Sequence, residues 1–192
     1  MRREKFFCFW YHFLLGSFLI VLLEGCTPAI PQDRTGQPGV LLPPATLGAT
    51  LVAQQHLTFK RENVSHVIEV AVEADENTID LVGMVMGKRV LSLTYDGANL
   101  DSWRHAMLPQ QVQAQDVLEN MQLAFWPLDV IRSKLPSSWE VREDGQERIY
   151  SHNGEQIIFI RYDSQDRWQG VTWFRNAYYN YDLTIESVLM EK

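Results

Sequence analysis

Cysteine is scarce in this chain of 192 residues, which contains only Cys8 and Cys26. No cysteine follows Cys26 in the remaining sequence. The residues after position 26 therefore contain no disulfide pair, no thiolate nucleophile and no cysteine-ligated metal. Any chemistry in that part of the chain depends on other side chains.

Catalytic motifs are also missing. The histidines lack His-Glu-x-x-His spacing, the serines lie in no Gly-x-Ser-x-Gly elbow, and no glycine-rich phosphate loop opens a helix. A calcium site or a glycosidase pair built from the many turn carboxylates remains an alternative, but no spacing singles out a pair. We therefore expect no enzyme activity, no cofactor and no metal site. The residues considered are His56, His66, His105, His152, Ser92, Ser102 and Ser151.

A surplus of positive charge is absent as well. The chain has 17 Lys and Arg side chains against 24 Asp and Glu, which gives a formal net charge of −7 at pH 7. Phosphate binding depends largely on Lys and Arg, so this balance argues against nucleic acid as a partner.

The chain does contain a three-part signal at its N-terminus. A basic start with Arg2 and Arg3 is followed by an apolar run over 6–23 and then by Gly25 and Cys26. This order is typical of a bacterial lipoprotein signal, which is cleaved before a cysteine that becomes acylated. The alternative is a retained membrane helix, because the apolar run approaches roughly 18 residues.

Thr27 follows the cysteine at the position where an aspartate favours retention in the inner membrane of Gram-negative bacteria. By analogy, we expect a lipid-anchored protein at the outer membrane, on its periplasmic face. The composition then shifts to Pro, Gly and Gln, which predicts an extended tether. The expected organisation is a signal peptide over 1–25, the lipidated cysteine and tether over 26–48, and one domain over 49–192.

Within that domain the dominant hydrophobic period is two, the period of β-strands. We predict five strands between 51 and 103, an amphipathic helix over 117–125, a shorter helix over 128–135, and five more strands between 139 and 190. Tight turns between successive strands imply one large antiparallel sheet, which must curl. The predicted fold class is α+β, with an unclosed curved sheet and a short helical lid inserted mid-chain.

Three segments carry a family resemblance: Leu123–Leu128, Val90–Gly97 and Tyr181–Leu183. With the order of strands and helices, they resemble an uncharacterised family of Gram-negative outer-membrane lipoproteins that is similar in fold to the lipoprotein carriers LolA and LolB. The resemblance implies an unclosed β-barrel whose helical lid covers an apolar cavity for acyl chains. It also implies a link to aryl polyene lipid gene clusters, which encode a LolA-like protein and an exporter.

An acyl or polyene chain in such a cavity would gain about 25 cal/mol per Å² of apolar surface removed from water. The alternative for each lining residue is ordinary core packing. Trp126 is expected to be a packing anchor at the helix junction, with a gating role as the alternative. The candidate ligand-binding residues are Ile68, Val70, Leu91, Leu93, Met121, Phe125, Trp126, Phe159 and Trp173.

Met86 lies at a predicted hairpin tip beside Gly87 and Lys88. The LolB resemblance implies that such an apolar tip contacts the membrane, while a plain hairpin is the alternative. The leading hypothesis is a lipid carrier or acceptor whose partners are the outer membrane, an acyl or polyene ligand, and a LolA-like carrier or inner-membrane exporter. The alternatives are a non-catalytic lipoprotein that docks on an envelope partner, and a lipid hydrolase or acyltransferase.

Overall fold

A computed structural model describes residues 35–190 of the chain. The predicted cleavage site and Cys26 lie outside the described residues. The elements are β1 Leu51–Arg61, β2 Val64–Ala74, β3 Ile79–Val85, β4 Lys88–Tyr95, β5 Leu100–Arg104, α1 Ala114–Phe125, α2 Leu128–Lys134, β6 Trp139–Asp144, β7 Glu147–His152, β8 Glu155–Tyr162, β9 Gly170–Asn176 and β10 Tyr181–Leu189.

All ten strands belong to one antiparallel sheet with the order β5-β4-β3-β2-β1-β10-β9-β8-β7-β6. Each half of the sheet is a meander, because tight turns join strands that are neighbours in sequence. The first and last strands pair at the centre, and the two edges, β5 and β6, do not pair with each other. The two helices form the connection from one edge strand to the other.

The strand register assigns each side chain to one of two faces. We call the face that reaches α1 the inner face, since the hydroxyl groups of Tyr150 and Tyr162 donate to α1 carbonyl oxygens from it. On this face Leu57 lies opposite Ile68 of β2 and Ile185 of β10. The other face of the sheet is the outer face.

The core lies between the inner face and the helices. Helix α1 contributes Leu118, Met121 and Ala124, all buried, because they share the apolar stripe of the helix. The strands contribute many buried aliphatic side chains, among them Val72 and Leu81. This packing confirms the predicted α+β class with a large unclosed antiparallel sheet and two helices.

The predicted tether over 26–48 is wrong for the part that the structure describes. Residues 35–48, which we call the strap, pack on the domain, and Leu42 and Leu47 are buried. A 3-10 turn, Pro44–Leu47, ends the strap before β1. The Pro- and Gly-rich composition does not predict this packing, because backbone groups form most of the hydrogen bonds that hold the strap.

Candidate ligand-binding site

The strap runs along α1 from the β9–β10 turn to the β4–β5 turn. At its start, a Cβ on Gly36 would lie 2.7 Å from a ring carbon of Tyr179, so only glycine fits there. The Asn176 amide donates to the Gly36 carbonyl at 2.8 Å. At its end, Pro44 packs so closely that a Cβ on Gly97 would lie 3.3 Å from its ring. The strap therefore covers the inner face from one turn to the other.

Two polar side chains of α1 hold the middle of the strap. The Glu119 carboxylate accepts the amide hydrogens of Gly39 and Val40 at 2.6 and 2.9 Å. The Gln122 side chain both accepts from the Leu42 amide at 2.8 Å and donates to the Leu42 carbonyl at 2.7 Å. Glu119 and Gln122 are buried, so these bonds satisfy groups that water cannot reach.

The C-terminal end of α1 rests on a buried cation. Arg148 donates from Nη1 to the Leu123 carbonyl at 2.7 Å and from Nε to Glu143 at 2.6 Å. Tyr150 and Tyr162 donate to the last α1 carbonyls at 2.7 and 2.6 Å. Burial raises the pKa of both phenols, so they stay protonated as donors. A cation and two donors at this end also complement the helix dipole.

The inner face is less covered where β1, β2, β3 and β10 meet. Here Leu57, Phe59, Ile68, Val85 and Leu183 are only partly buried, whereas inner-face side chains farther along the same strands are buried. We call these five side chains the open corner. They adjoin by register, with Leu57 opposite Ile68 and Phe59 opposite Leu183.

An aromatic group separates the open corner from the covered part of the inner face. The ring of Tyr181 lies 5.5 Å from Phe59 and 6.1 Å from Phe174. Its hydroxyl accepts a hydrogen bond from Asn120 of α1 at 3.0 Å, and burial raises its pKa. The Asn120 carbonyl oxygen in turn accepts from Gln37 of the strap at 3.0 Å. Helix, strap and sheet thus meet at the boundary of the open corner.

The structure places most of the predicted ligand-binding residues in the packed core. Ile68 alone belongs to the open corner. Trp126 is fully buried and donates from its indole nitrogen to the Thr46 hydroxyl at 3.0 Å, which is the geometry of a packing anchor. The buried remainder comprises Val70, Leu91, Leu93, Met121 and Phe125.

Phe159 and Trp173 do not line a cavity with those residues, because both lie on the outer face. Phe159 is flanked in β8 by Ile158 and Ile160, which face inward, so alternation turns it outward. Trp173 lies opposite Arg161 on the same outer face and is 37% exposed. The strand around Phe159 is apolar on both faces, and its sequence does not distinguish them.

Met86 occupies the tip of the β3–β4 hairpin and is 96% exposed. With Gly87 it forms a two-residue turn in which both residues have positive φ, 50° and 73°. This backbone conformation favours Asn-Gly, and a methionine at the first position is strained. The tip lies directly after Val85 of the open corner.

Two depressions on the described surface have volumes of about 360 and 310 Å³, and neither is lined by a residue of α1. Among residues 35–190, no group of three or more His, Cys, Asp and Glu side chains is placed to hold a metal ion. Within the same range, no helix is long and apolar enough to cross a membrane. The open corner itself presents five apolar side chains, and the ring of His66 stacks on Phe59 at its edge.

Sequence reasoning did not select Leu57, Phe59 and Leu183 as site residues. The apolar alternation predicts that these residues lie in strands and share a face. It does not predict their partial burial, which depends on where α1 and the strap end. No local pattern carries that information.

The comparisons with known proteins identify a family without an assigned activity. Residues 52–189 match the family described as "Protein of unknown function (DUF3261)". A search of curated proteins finds no match. The matched region begins just inside β1 and ends at the last residue of β10, so it spans the whole sheet and both helices.

Proposed function

Since the chain belongs to the DUF3261 family, whose description states no activity, we propose a function from the geometry: a non-catalytic outer-membrane lipoprotein that binds a hydrophobic chain. The ligand is an acyl or polyene lipid, or the acyl chains of a lipoprotein. It enters at the open corner and lies along the inner face beside α1. The single observation that carries this proposal is the partly exposed open corner, whose five side chains are apolar and whose edge is formed by the ring of His66 stacked on Phe59.

The energetic argument rests on the surface left by the helices. Five adjoining apolar side chains remain in partial contact with water, whereas inner-face side chains farther along β1, β2 and β10, among them Ala53, Val72 and Ile185, are buried. A hydrocarbon chain laid on them removes this surface from water at about 25 cal/mol per Å². No ionic contact is needed, which suits a lipid tail.

The exposed Met86 supports a role at a membrane surface. A turn with positive φ at this position favours asparagine, so the methionine side chain has no local conformational advantage. Its apolar side chain, next to Lys88, fits insertion between lipid headgroups and acyl chains. We propose that the tip contacts the outer membrane while the open corner receives or releases the ligand.

The likeness to LolA and LolB belongs to the same proposal. An unclosed sheet with a short helical cover is the arrangement that those carriers use for acyl chains, and the aryl polyene association suggests the cargo. The partners that follow are a LolA-like carrier or an inner-membrane exporter. Fold likeness alone does not assign function, so the open corner carries the argument.

The second candidate is a docking lipoprotein that binds an envelope protein through its surface. The observation that favours it is the tight packing beneath α1, where the predicted cavity residues contact one another. A ligand that extended below α1 would have to displace the helix from the buried Arg148 and from the strap.

The test is native mass spectrometry with lipid extraction on residues 27–192, purified from the host envelope. Ile68→Asp places a charge in the open corner, and Val67→Asp places the same charge on the outer face one residue away, where Val67 is already 47% exposed. We expect a stoichiometric lipid on the wild type and on Val67→Asp, and its loss from Ile68→Asp.

Circular dichroism must show that both variants are folded, and Leu183→Ser serves as a milder variant if Ile68→Asp is not. A wild-type protein that is empty and cannot be loaded with acyl chains would reject the carrier proposal and favour docking.

A further inference from the structure

The outer face contains a groove that the proposed function does not use. It has a volume of about 360 Å³ and crosses strands β7, β8 and β9. Its apolar surface comes from Ile149, Phe159 and Trp173. Ile149 and Phe159 are opposite each other in neighbouring strands. This volume lies at the lower end of the roughly 300–1,000 Å³ of typical small-molecule sites.

Three cations surround this apolar strip: Lys60, Arg161 and Arg175. The Arg161 guanidinium lies 4.3 Å from the centre of the Trp173 ring, so it is held against the aromatic wall. Lys60 lies opposite Asp182 in the register but forms no ion pair within 4 Å among residues 35–190. Such a cluster is unexpected in a chain with a net charge of −7.

Two carboxylates also line the groove, Asp182 and Glu147. Asp182 lies 3.4 Å from Arg175, but both side chains are more than half exposed, so water weakens this pair. Glu147 lies opposite Arg161 in the register. The groove therefore keeps one positive charge in excess, beside an apolar surface.

We propose that this groove binds a small amphiphile with one anionic head and an extended or flat apolar body. The body lies on Phe159 and Trp173, and the carboxylate or phosphate head pairs with Lys60 and Arg175. This site is on the opposite face of the sheet from the open corner, so it does not depend on the proposed function.

The structure supplies a matched control. Arg89 lies 4.9 Å from the ring of Trp103, which is the same kind of cation–aromatic pair on the outer face of the other half of the sheet. Neither residue lines the groove. Trp103→Thr therefore removes an indole of similar exposure, 44% against 37% for Trp173, without touching the proposed site.

The experiment is isothermal titration of dodecanoate, below its critical micelle concentration, into residues 27–192. Dodecyl maltoside has the same tail with an uncharged head. We expect dodecanoate to bind at one site, Trp173→Thr and Arg175→Gln each to weaken it at least tenfold, and Trp103→Thr to leave it unchanged. The maltoside is expected to bind at least tenfold more weakly than dodecanoate.

Three results would overturn the inference: no binding of dodecanoate to the wild type, equal affinity for both heads, or equal effects of Trp173→Thr and Trp103→Thr. The variant Ile68→Asp separates this inference from the proposed function. Binding that is lost in Ile68→Asp and kept in Trp173→Thr would place dodecanoate in the open corner, which supports the carrier proposal and rejects the groove. Binding kept in Ile68→Asp supports the groove.

Discussion

Arg148 shows how a single residue fixes the end of α1. Its side chain is fully buried and donates to a helix carbonyl and a carboxylate, and the phenols of Tyr150 and Tyr162 donate to the same end of the helix. Its Nη2 has no hydrogen-bond partner among residues 35–190. A buried cation is costly unless its partners are in place, so Arg148 specifies this packing more than it adds net stability.

We expect Arg148→Met to lower the free energy of unfolding by about 1–3 kcal/mol, because Glu143 and the Leu123 carbonyl each lose one donor and keep another, from Arg167 and Tyr150. Arg148→Lys retains the charge but not the planar fork, so it should rescue only part of the loss. Urea denaturation measures both changes.

The control for Arg148 is Arg132→Met, which removes an exposed pair with Asp129 at 3.0 Å. That substitution should cost less than about 1 kcal/mol. If Arg148→Met and Arg132→Met cost the same, Arg148 does not hold the helix in the way described.

At the residue scale, the sequence predicted which side chains are apolar and periodic but not always which face they occupy. Leu93 is buried on the inner face, as strand alternation predicts, because the polar neighbours Ser92 and Thr94 mark the opposite face. For Phe159 the neighbours are also apolar, so the assignment to the interior was wrong.

At the element scale, the strap is the main departure from expectation. Its composition predicts an extended tether, because its few apolar side chains, Val40, Leu41, Leu42 and Leu47, form no periodic pattern. The attachment comes from backbone amides that meet Glu119 and Gln122 on α1. A backbone amide donates in the same way whatever its side chain, so the sequence does not show which amides bond to α1.

Removal of the strap should therefore destabilise the lid. A chain that begins at Ala49 should unfold at a lower urea concentration than one that begins at Thr35, because burial of Leu42 and Leu47 is lost and Glu119 loses its donors.

Gln122→Ala in the longer chain should lower the free energy of unfolding by about 1–3 kcal/mol, because it leaves the Leu42 backbone unpaired.

The matched control for Gln122→Ala is Gln115→Ala. Gln115 lies on the same helix, at least one turn before Glu119 and Gln122, which contact the strap. This substitution should have little effect on the unfolding midpoint. Equal midpoints for the chains beginning at 35 and 49 would mean that the strap does not stabilise the domain.

At the scale of the whole molecule, the sheet order determines where stability is concentrated. Strands β1 and β10 each have a partner on both sides, whereas β5 and β6 have one. The sequence predicted the strands and the antiparallel meanders from periodicity and turns. It did not predict that the first and last strands meet at the centre, because that pairing joins residues far apart in sequence.

Amide hydrogen exchange should reveal this order. Amides of Leu57 and Ile185, at the centre, should exchange at least tenfold more slowly than those of the edge strands β5 and β6, since local opening begins where hydrogen bonding is incomplete. Mass spectrometry of peptic fragments gives the comparison within one sample. Uniform protection across all ten strands would show that the edges open only with the whole sheet.

The central pairing of β1 with β10 also determines when the sheet can be completed. In a chain that lacks residues 181–189, β1 and β9 would each have no neighbour in the middle of the sheet. Unpaired strand edges pair readily with other strands, so such a chain exposes two edges that favour aggregation instead of forming a smaller stable domain. The addition of β10, and not the completion of either half, closes these two edges.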